Sequence, residues 1–192
     1  ADLPVAERLA ELDFDLPLGD RGPARVVADL AAAMSRHLPA SDPLAPYPAR
    51  LLATDAARTS LKGFLTGSID VVLKLPGGGF VVVDYKTNRL PVLPEQELSV
   101  EHYHPSAMAE AMMQAHYPLQ ALLYCAALHR FLAWRLPDYS PGRHLGGVGY
   151  LFVRGMAGPG TPVVAGGRCG VFEWFPPAEL VVEVSDLLGG GR

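Results

Sequence analysis

Gly67-Ser68-Ile69-Asp70-Val71-Val72-Leu73-Lys74-Leu75, then Pro76-Gly77-Gly78-Gly79, then Phe80-Val81-Val82-Val83-Asp84-Tyr85-Lys86 is the stretch that decides the fold. Two runs rich in β-branched residues flank one proline and three glycines, which predicts an antiparallel hairpin. Asp84 and Lys86 stand two apart on the second run, so both side chains point to one face. With the turn centred on Gly77 and Gly78, residue 70 falls opposite residue 85 to within one register step. That brings Asp70 beside the Asp84/Lys86 pair. Two carboxylates and a lysine at the end of an apolar hairpin are costly to bury without compensation. A divalent cation compensates them. Few oxygen ligands, with positions left for water and phosphate, suit Mg2+ or Mn2+ better than zinc. Such an ion polarises a phosphate and lowers the pKa of a bound water; Lys86 is placed to orient that water or to stabilise phosphate charge. The same spacing also describes a surface ion pair between Asp84 and Lys86 with an unrelated Asp70. Spacing alone does not choose between the two.

Outward from the hairpin, residues 11–18 alternate polar and apolar, which predicts a strand ended by Pro17. Helical spacing and a run of alanines predict a helix over Val26–His37. Residues 41–47 are proline-rich and read as a loop, as do residues 88–105. Helices are expected over Ala107–Ala115 and from Pro118 to Arg135, the second opened by a proline in its first turn. Gly146–Val153 reads as a buried strand, 154–170 as a flexible surface loop, Val171–Phe175 as a short strand and Pro177–Leu188 as a closing helix. No internal repeat is present.

The 192 residues are 49% hydrophobic, enough for one sizeable core, so residues 1–192 are read as a single domain. The 20 glycines and 18 prolines stay below the level of low-complexity chains. A net charge of −4 argues against a general nucleic-acid binder, since such domains carry a basic excess. Cys125 and Cys169 lack zinc or iron–sulfur spacing and are expected as core filler in a reducing, cytoplasmic setting. The opening residues carry acids and prolines rather than a leader's apolar stretch, and no run is long enough to span a membrane. The start without methionine leads to the expectation of a domain truncated at its N-terminus.

On the helix after Pro118, Gln120 and Tyr124 lie at i and i+4 and share a face, with Tyr117 one turn earlier. This stripe fits a helix packed against the hairpin and organising the site; it equally fits an amphipathic helix with tyrosine at the core edge. The six histidines show no helical zinc spacing and are read as solvated or capping. Neither a phosphate-cradling Gly-x4-Gly-Lys-Ser/Thr loop nor a Gly-x-Ser-x-Gly elbow occurs.

Several stretches together resemble the RecB-type nuclease domain, the family of exodeoxyribonuclease V beta subunits. They are Glu11–Leu18, Gly63–Asp70, Val83–Asn88, Ala111–Gln120, Leu123-Tyr124, Ala127–Arg130 and Gly146–Gly155, in the family's order over most of the chain. The resemblance implies an α/β fold of the PD-(D/E)xK class, with a mixed central β-sheet flanked by helices and a restriction-endonuclease-like core. It implies Mg2+-dependent (or Mn2+-dependent) cleavage of DNA. Asp70 and Asp84 become metal ligands, with the Tyr85 backbone carbonyl as a third, and Lys86 the catalytic lysine. Gln120 and Tyr124 match the family's Gln-x3-Tyr motif, and Glu11 or Asp13 supplies a further acidic group.

The implied setting is a helicase–nuclease acting in double-strand break repair and degradation of linear DNA. Its implied partners are RecC- and RecD-like subunits and the recombinase RecA, with no membrane. There Mg2+ and neighbouring subunits supply the positive potential this acidic chain lacks. One departure stands out: the family's histidine, on a helix before the first strand, has no counterpart here. A non-catalytic interaction or scaffold module is therefore the rival reading. A restriction-like or CRISPR-associated nuclease on the same fold leaves the matches at 127–130 and 146–155 unexplained.

Overall fold

A computed structural model describes residues 7–19, 24–90, 96–164 and 166–189. Among them the strands are β1 Arg8–Leu18, β2 Gly63–Lys74, β3 Phe80–Lys86, β4 Leu145–Phe152, β5 Val163–Val164, β6 Gly167–Arg168 and β7 Val171–Trp174. The helices are α1 Val27–His37, α2 Tyr47–Leu52, α3 Pro105–Gln114, α4 Tyr117–Arg135, α5 Pro141–His144 and α6 Ala178–Gly189. The main sheet runs β1-β2-β3-β4-β7. Its β3–β4 pair is parallel and the other pairs antiparallel, so this is a mixed sheet of the α/β class. A parallel neighbour needs a crossover, and α3, α4 and α5 lie along the chain between β3 and β4.

The expected hairpin forms, with Val71 opposite Val83 and Lys74 opposite Phe80. Its loop closes through Gly78 N–H to the Leu75 carbonyl (2.8 Å) and Leu75 N–H to that of Gly79 (2.8 Å). Gly78 sits at φ +84°, which only glycine adopts cheaply. The register is symmetric about Gly77, so residue 70 falls opposite 84 rather than 85. Pro17 does not end β1. It pairs with Phe64, tolerated because β1 is an edge strand whose outer side asks for no donor.

Two of the three expected loops hold structure. The 41–47 loop leads into α2, and Val100–Tyr103 forms a 3-10 turn within 88–105, whose residues 91–95 lie outside those described. In the 154–170 segment β5 pairs with β6, and Thr161 and Cys169 are buried. There Thr161 Oγ1 accepts from Ala157 N–H (2.8 Å) and donates to the Gly158 carbonyl (2.8 Å).

One continuous apolar core joins the sheet to the helices. Val72, Val82, Val148 and Tyr150 meet Leu122, Cys125 and Leu128 of α4, behind which lie Leu180, Val181 and Val184 of α6. A fully buried leucine such as Leu122 contributes about 2 kcal/mol. Tyr117 opens α4 immediately after His116, which turns the chain at φ +56°, and Pro118 occupies the first turn. That sharp turn sets the face bearing Tyr117, Gln120 and Tyr124 against the C-terminal end of β3.

The strand alternation changes phase in the middle of β1 and β2. Leu65 and Ile69 of β2 face the core, and so does Val72, three positions on, while Val71 and Leu73 line an apolar groove on the opposite face. On β1, Leu12 and Phe14 face the core and Leu9 lies with them, while Arg8 and Ala10 line the groove. A strict period of two cannot do this, so each strand holds an irregular residue. Ala10 pairs with Val71 and Leu12 with Ile69. Between those pairs Glu11, at φ +54°, falls opposite Asp70. A left-handed non-glycine residue costs roughly 1–2 kcal/mol, and such strain gathers at functional sites.

Candidate active site

The phase step frees Asp70 from the ladder. Its carboxylate accepts a hydrogen bond from the Tyr85 N–H (3.1 Å), one residue beyond Asp84. In an extended strand a residue's N–H and C=O point to the same side, so the Tyr85 carbonyl faces the gap between β2 and β3 too. Asp84 lies next to Tyr150 of β4 and retains 3% of its exposure. Lys86 follows at the end of β3, paired with Phe152.

Asp84 and Lys86 form a buried ion pair rather than a surface one. Lys86 Nζ lies 2.7 Å from Asp84 Oδ2, with side-chain exposures of 11% and 5%. The ammonium donates to Gln120 Oε1 (3.0 Å) and lies 4.0 Å from the centroid of the Tyr117 ring and 5.1 Å from that of Tyr150. These two rings stack, their planes 14° apart. Lysine only donates, so the Gln120 oxygen must face it, and the amide Nε2 then donates to the Tyr124 hydroxyl (2.9 Å). The Tyr150 hydroxyl adds a second donor to the same oxygen (3.2 Å) and also reaches the Tyr117 carbonyl (3.3 Å). Phe14 packs edge-on against Tyr124.

Burial pushes the Asp84 carboxyl above its usual range; Lys86 opposes the shift and Asp70 adds to it. Burial likewise raises the Tyr124 and Tyr150 hydroxyls, with the charge of Asp84 reinforcing both, so they remain neutral donors and acceptors.

Asp84 Oδ2 is buried and lies against the Lys86 ammonium at 2.7 Å. Burying that carboxylate is costly, and the Lys86 ammonium is the cation that offsets it in this structure. Among the described residues no three His, Cys, Asp or Glu side chains gather into a metal-binding group. The donors at hand are two carboxylates and a backbone carbonyl. Such a set fits a hard cation that keeps waters and takes phosphate oxygens, rather than a closed zinc cage.

The structure thus brings Asp70, Asp84, Tyr85, Lys86, Gln120 and Tyr124 together. Glu11 stands opposite Asp70 in the register with its side chain exposed. Asp13 pairs with Ser68, further along β1. The histidines are engaged away from these carboxylates: His104 caps α3, His102 bonds Ser99, His37 pairs with Glu183, and His116 and His129 meet Tyr47 and Tyr139. His144 is buried at Ser140 rather than solvated. Tyr150 is the residue that sequence reasoning missed. Its one signal was a lone hydroxyl in the buried run Gly146–Val153.

Comparison with known proteins gives the same arrangement a family. The description of the PD-(D/E)XK nuclease superfamily matches residues 3–168. The chain belongs to the PD-(D/E)XK nuclease superfamily. Among curated members it is 53% identical to the RecBCD enzyme subunit RecB of Mycobacterium tuberculosis, over 98% of this chain and 17% of that protein. It is 50% identical to that of Mycolicibacterium smegmatis, over 96% of this chain and 17% of the relative. It is 35% identical to that of Escherichia coli over 68% of this chain and 10% of the relative. The chain therefore spans about a sixth of the mycobacterial relatives' length. As in the sequence reading, no helix among the described residues is long and apolar enough to cross a membrane.

Proposed function

We propose that this chain is the nuclease domain of a RecB-like helicase–nuclease and hydrolyses DNA phosphodiester bonds in double-strand break repair and degradation of linear DNA. In this reading it works beside RecC- and RecD-like subunits and supplies DNA to the recombinase RecA. The observation that carries it is the buried Asp84–Lys86 pair (2.7 Å), held by Gln120 (3.0 Å) and set beside Asp70, whose carboxylate meets the Tyr85 N–H (3.1 Å). Asp70, Asp84 and the Tyr85 carbonyl hold Mg2+ or Mn2+. When bound, the ion supplies Lewis acidity toward the phosphate and a more acidic water. Lys86 is the catalytic lysine: its ammonium orients the attacking water and donates to a phosphate oxygen. Gln120 fixes that ammonium through its amide oxygen, Tyr124 fixes the amide, and Glu11 adds negative charge beside Asp70.

The test is cleavage of single-stranded DNA in Mg2+ together with calorimetric titration of the metal. Asp84→Asn and Lys86→Met are each expected to lose at least about a hundredfold in rate. Asp70→Asn is expected to weaken Mg2+ binding. Full cleavage by Asp84→Asn or Lys86→Met would overturn the assignment. The rival reading is a non-cleaving interaction module. A wild-type chain that binds DNA and cleaves none of it with Mg2+ or Mn2+ establishes that one instead.

A further inference from the structure

Beyond the residues already discussed, the same end of the sheet carries Arg154. β4 ends at Phe152, the register partner of Lys86, and a 3-10 turn over Val153–Gly155 follows. Arg154 therefore leaves the sheet at the end where Lys86 leaves it. Its Nε donates to the Thr87 carbonyl (2.9 Å), the residue directly after the lysine. A guanidinium has five N–H donors, and this bond uses one. Among the described residues the four on its two terminal nitrogens have no partner, and the exposed side chain has no acidic neighbour within ion-pair distance.

The turn that bears Arg154 is rigidly seated. Gly155 is buried, and a Cβ on it would lie 2.4 Å from Tyr103 Cβ and 2.9 Å from Gly170 Cα. Gly170 is held on both sides, its N–H on the Tyr103 carbonyl (2.9 Å) and its carbonyl on the Phe152 N–H (2.8 Å). The Tyr103 hydroxyl then donates to the Asn88 carbonyl (2.8 Å) and accepts from the Leu90 N–H (3.4 Å). One buried tyrosine thus pins both the turn of Arg154 and the segment after Lys86, and Arg154 closes the link at Thr87.

We propose that Arg154 is a preset clamp for a backbone phosphate of the DNA strand, next to the phosphate being cut. Anchored through Nε, the planar fork offers its outer N–H groups to two oxygens of one phosphate, the bidentate geometry in which arginine outperforms lysine. Because the anchor holds the side chain before DNA arrives, less conformational freedom is lost on binding. Arg89, exposed three residues after Lys86, adds positive charge to the same segment. The inference rests on the nuclease reading above for the identity of the ligand.

The test measures binding of a fluorescein-labelled oligothymidine by anisotropy across a salt series in EDTA, alongside cleavage in Mg2+ and thermal unfolding. Arg154→Gln, whose amide can still donate to the Thr87 carbonyl, is compared with Arg154→Lys and the wild type. Loss of one phosphate contact lowers the log–log salt slope by about 0.7 for a single strand, or about fivefold in affinity near 0.1 M salt. Arg154→Gln is expected to show both changes with its unfolding midpoint unmoved. Arg154→Lys is expected to keep the slope and lose affinity severalfold. Unchanged affinity and slope in Arg154→Gln, with wild-type cleavage intact, overturns the clamp and leaves the nuclease reading standing. Weaker binding with an unchanged slope and a lowered midpoint overturns it as well, because Arg154 then only staples the loop. A wild-type chain that neither binds nor cleaves DNA overturns both readings.

Discussion

Lys86→Met isolates the buried ion pair at the centre of the site. Methionine keeps most of the lysine's alkyl volume but leaves Asp84 without the ammonium 2.7 Å away. It also removes the donor to Gln120. Removing one partner of a buried pair costs about 3–5 kcal/mol, because the other charge stays buried and unpaired. Side-chain exposures of 11% and 5% leave little water to solvate it, so about 3 kcal/mol is expected at neutral pH. The cost depends on pH with a definite sign. Burial already holds the Asp84 carboxyl above its ordinary 3.8, and loss of Lys86 raises it further. A carboxyl raised in the folded state contributes stability that is fully present below its unfolded value and is lost as pH rises through the folded one. Urea unfolding of metal-free protein should therefore show a Lys86→Met deficit that is small in acid and grows toward neutrality. The double variant Asp84→Asn/Lys86→Met should recover to within about 1 kcal/mol of wild type and lose most of that pH dependence. A single-variant deficit under about 1 kcal/mol at neutral pH, or one equally large in acid, would refute the buried-pair reasoning.

Other perturbations probe the strained and close-packed points around the site. Glu11→Gly relieves the left-handed φ of +54° and is expected to raise the unfolding free energy by about 1 kcal/mol while slowing cleavage; a loss of stability on calorimetry contradicts the strain assignment. Gly155→Ala forces a methyl to within 2.4 Å of Tyr103 Cβ, so denaturant unfolding should show a loss of at least about 1–3 kcal/mol, and wild-type stability would mean the contact is not tight. Burial pushes the Cys125 thiol up to about 12, and Cys169 is fully buried. Neither should label with a disulfide reagent in mildly alkaline native buffer, and both should label in urea; native labelling of Cys125 would show that the core opens.

What could be read in advance was local. The hairpin was visible because β-branched runs meet a glycine-rich break, and the shared face of Asp84 and Lys86 follows from strand geometry. The facing of Asp70 was legible only to one register step, since that depends on whether the loop is symmetric about Gly77 or about the bond after it. Burial of the pair was not legible. It arises from α4 and β4, and the residues closing over Lys86, Gln120 and Tyr150, lie 34 and 64 positions further along the chain. The phase step at Glu11 and Asp70 was hidden for a related reason. Residues 11–18 alternate cleanly on their own, and only the pairing with β2 shows Leu9 and Leu12 on one face. Pro17 misled because proline ends a central strand but not an edge strand, and edge position is a property of the whole sheet.

The net charge of −4 is a poor guide to how the site meets a phosphate, because the charges are unevenly committed. Arg36 is paired with Glu183 and Arg50 with Glu110, on α1, α6, α2 and α3 rather than on the elements that build the site. Asp70, Asp84 and Lys86 by themselves sum to a single negative charge, to which Glu11 adds and which Arg154 and Arg89 oppose from the adjoining segments. In the proposed reading a divalent cation would reverse the sign at the carboxylates, and over such short, partly desolvated distances the local charge outweighs the screened field of distant acids. Asp84 then has two opposed energetic roles. Without an ion it is a buried carboxylate offset by the Lys86 ammonium alone, a cost to the fold. With an ion bound, as proposed, the same carboxylate would serve as a ligand. On that proposal part of the stability lost by burying Asp84 would return as metal affinity, while Lys86, on the same oxygen, keeps the unliganded site foldable.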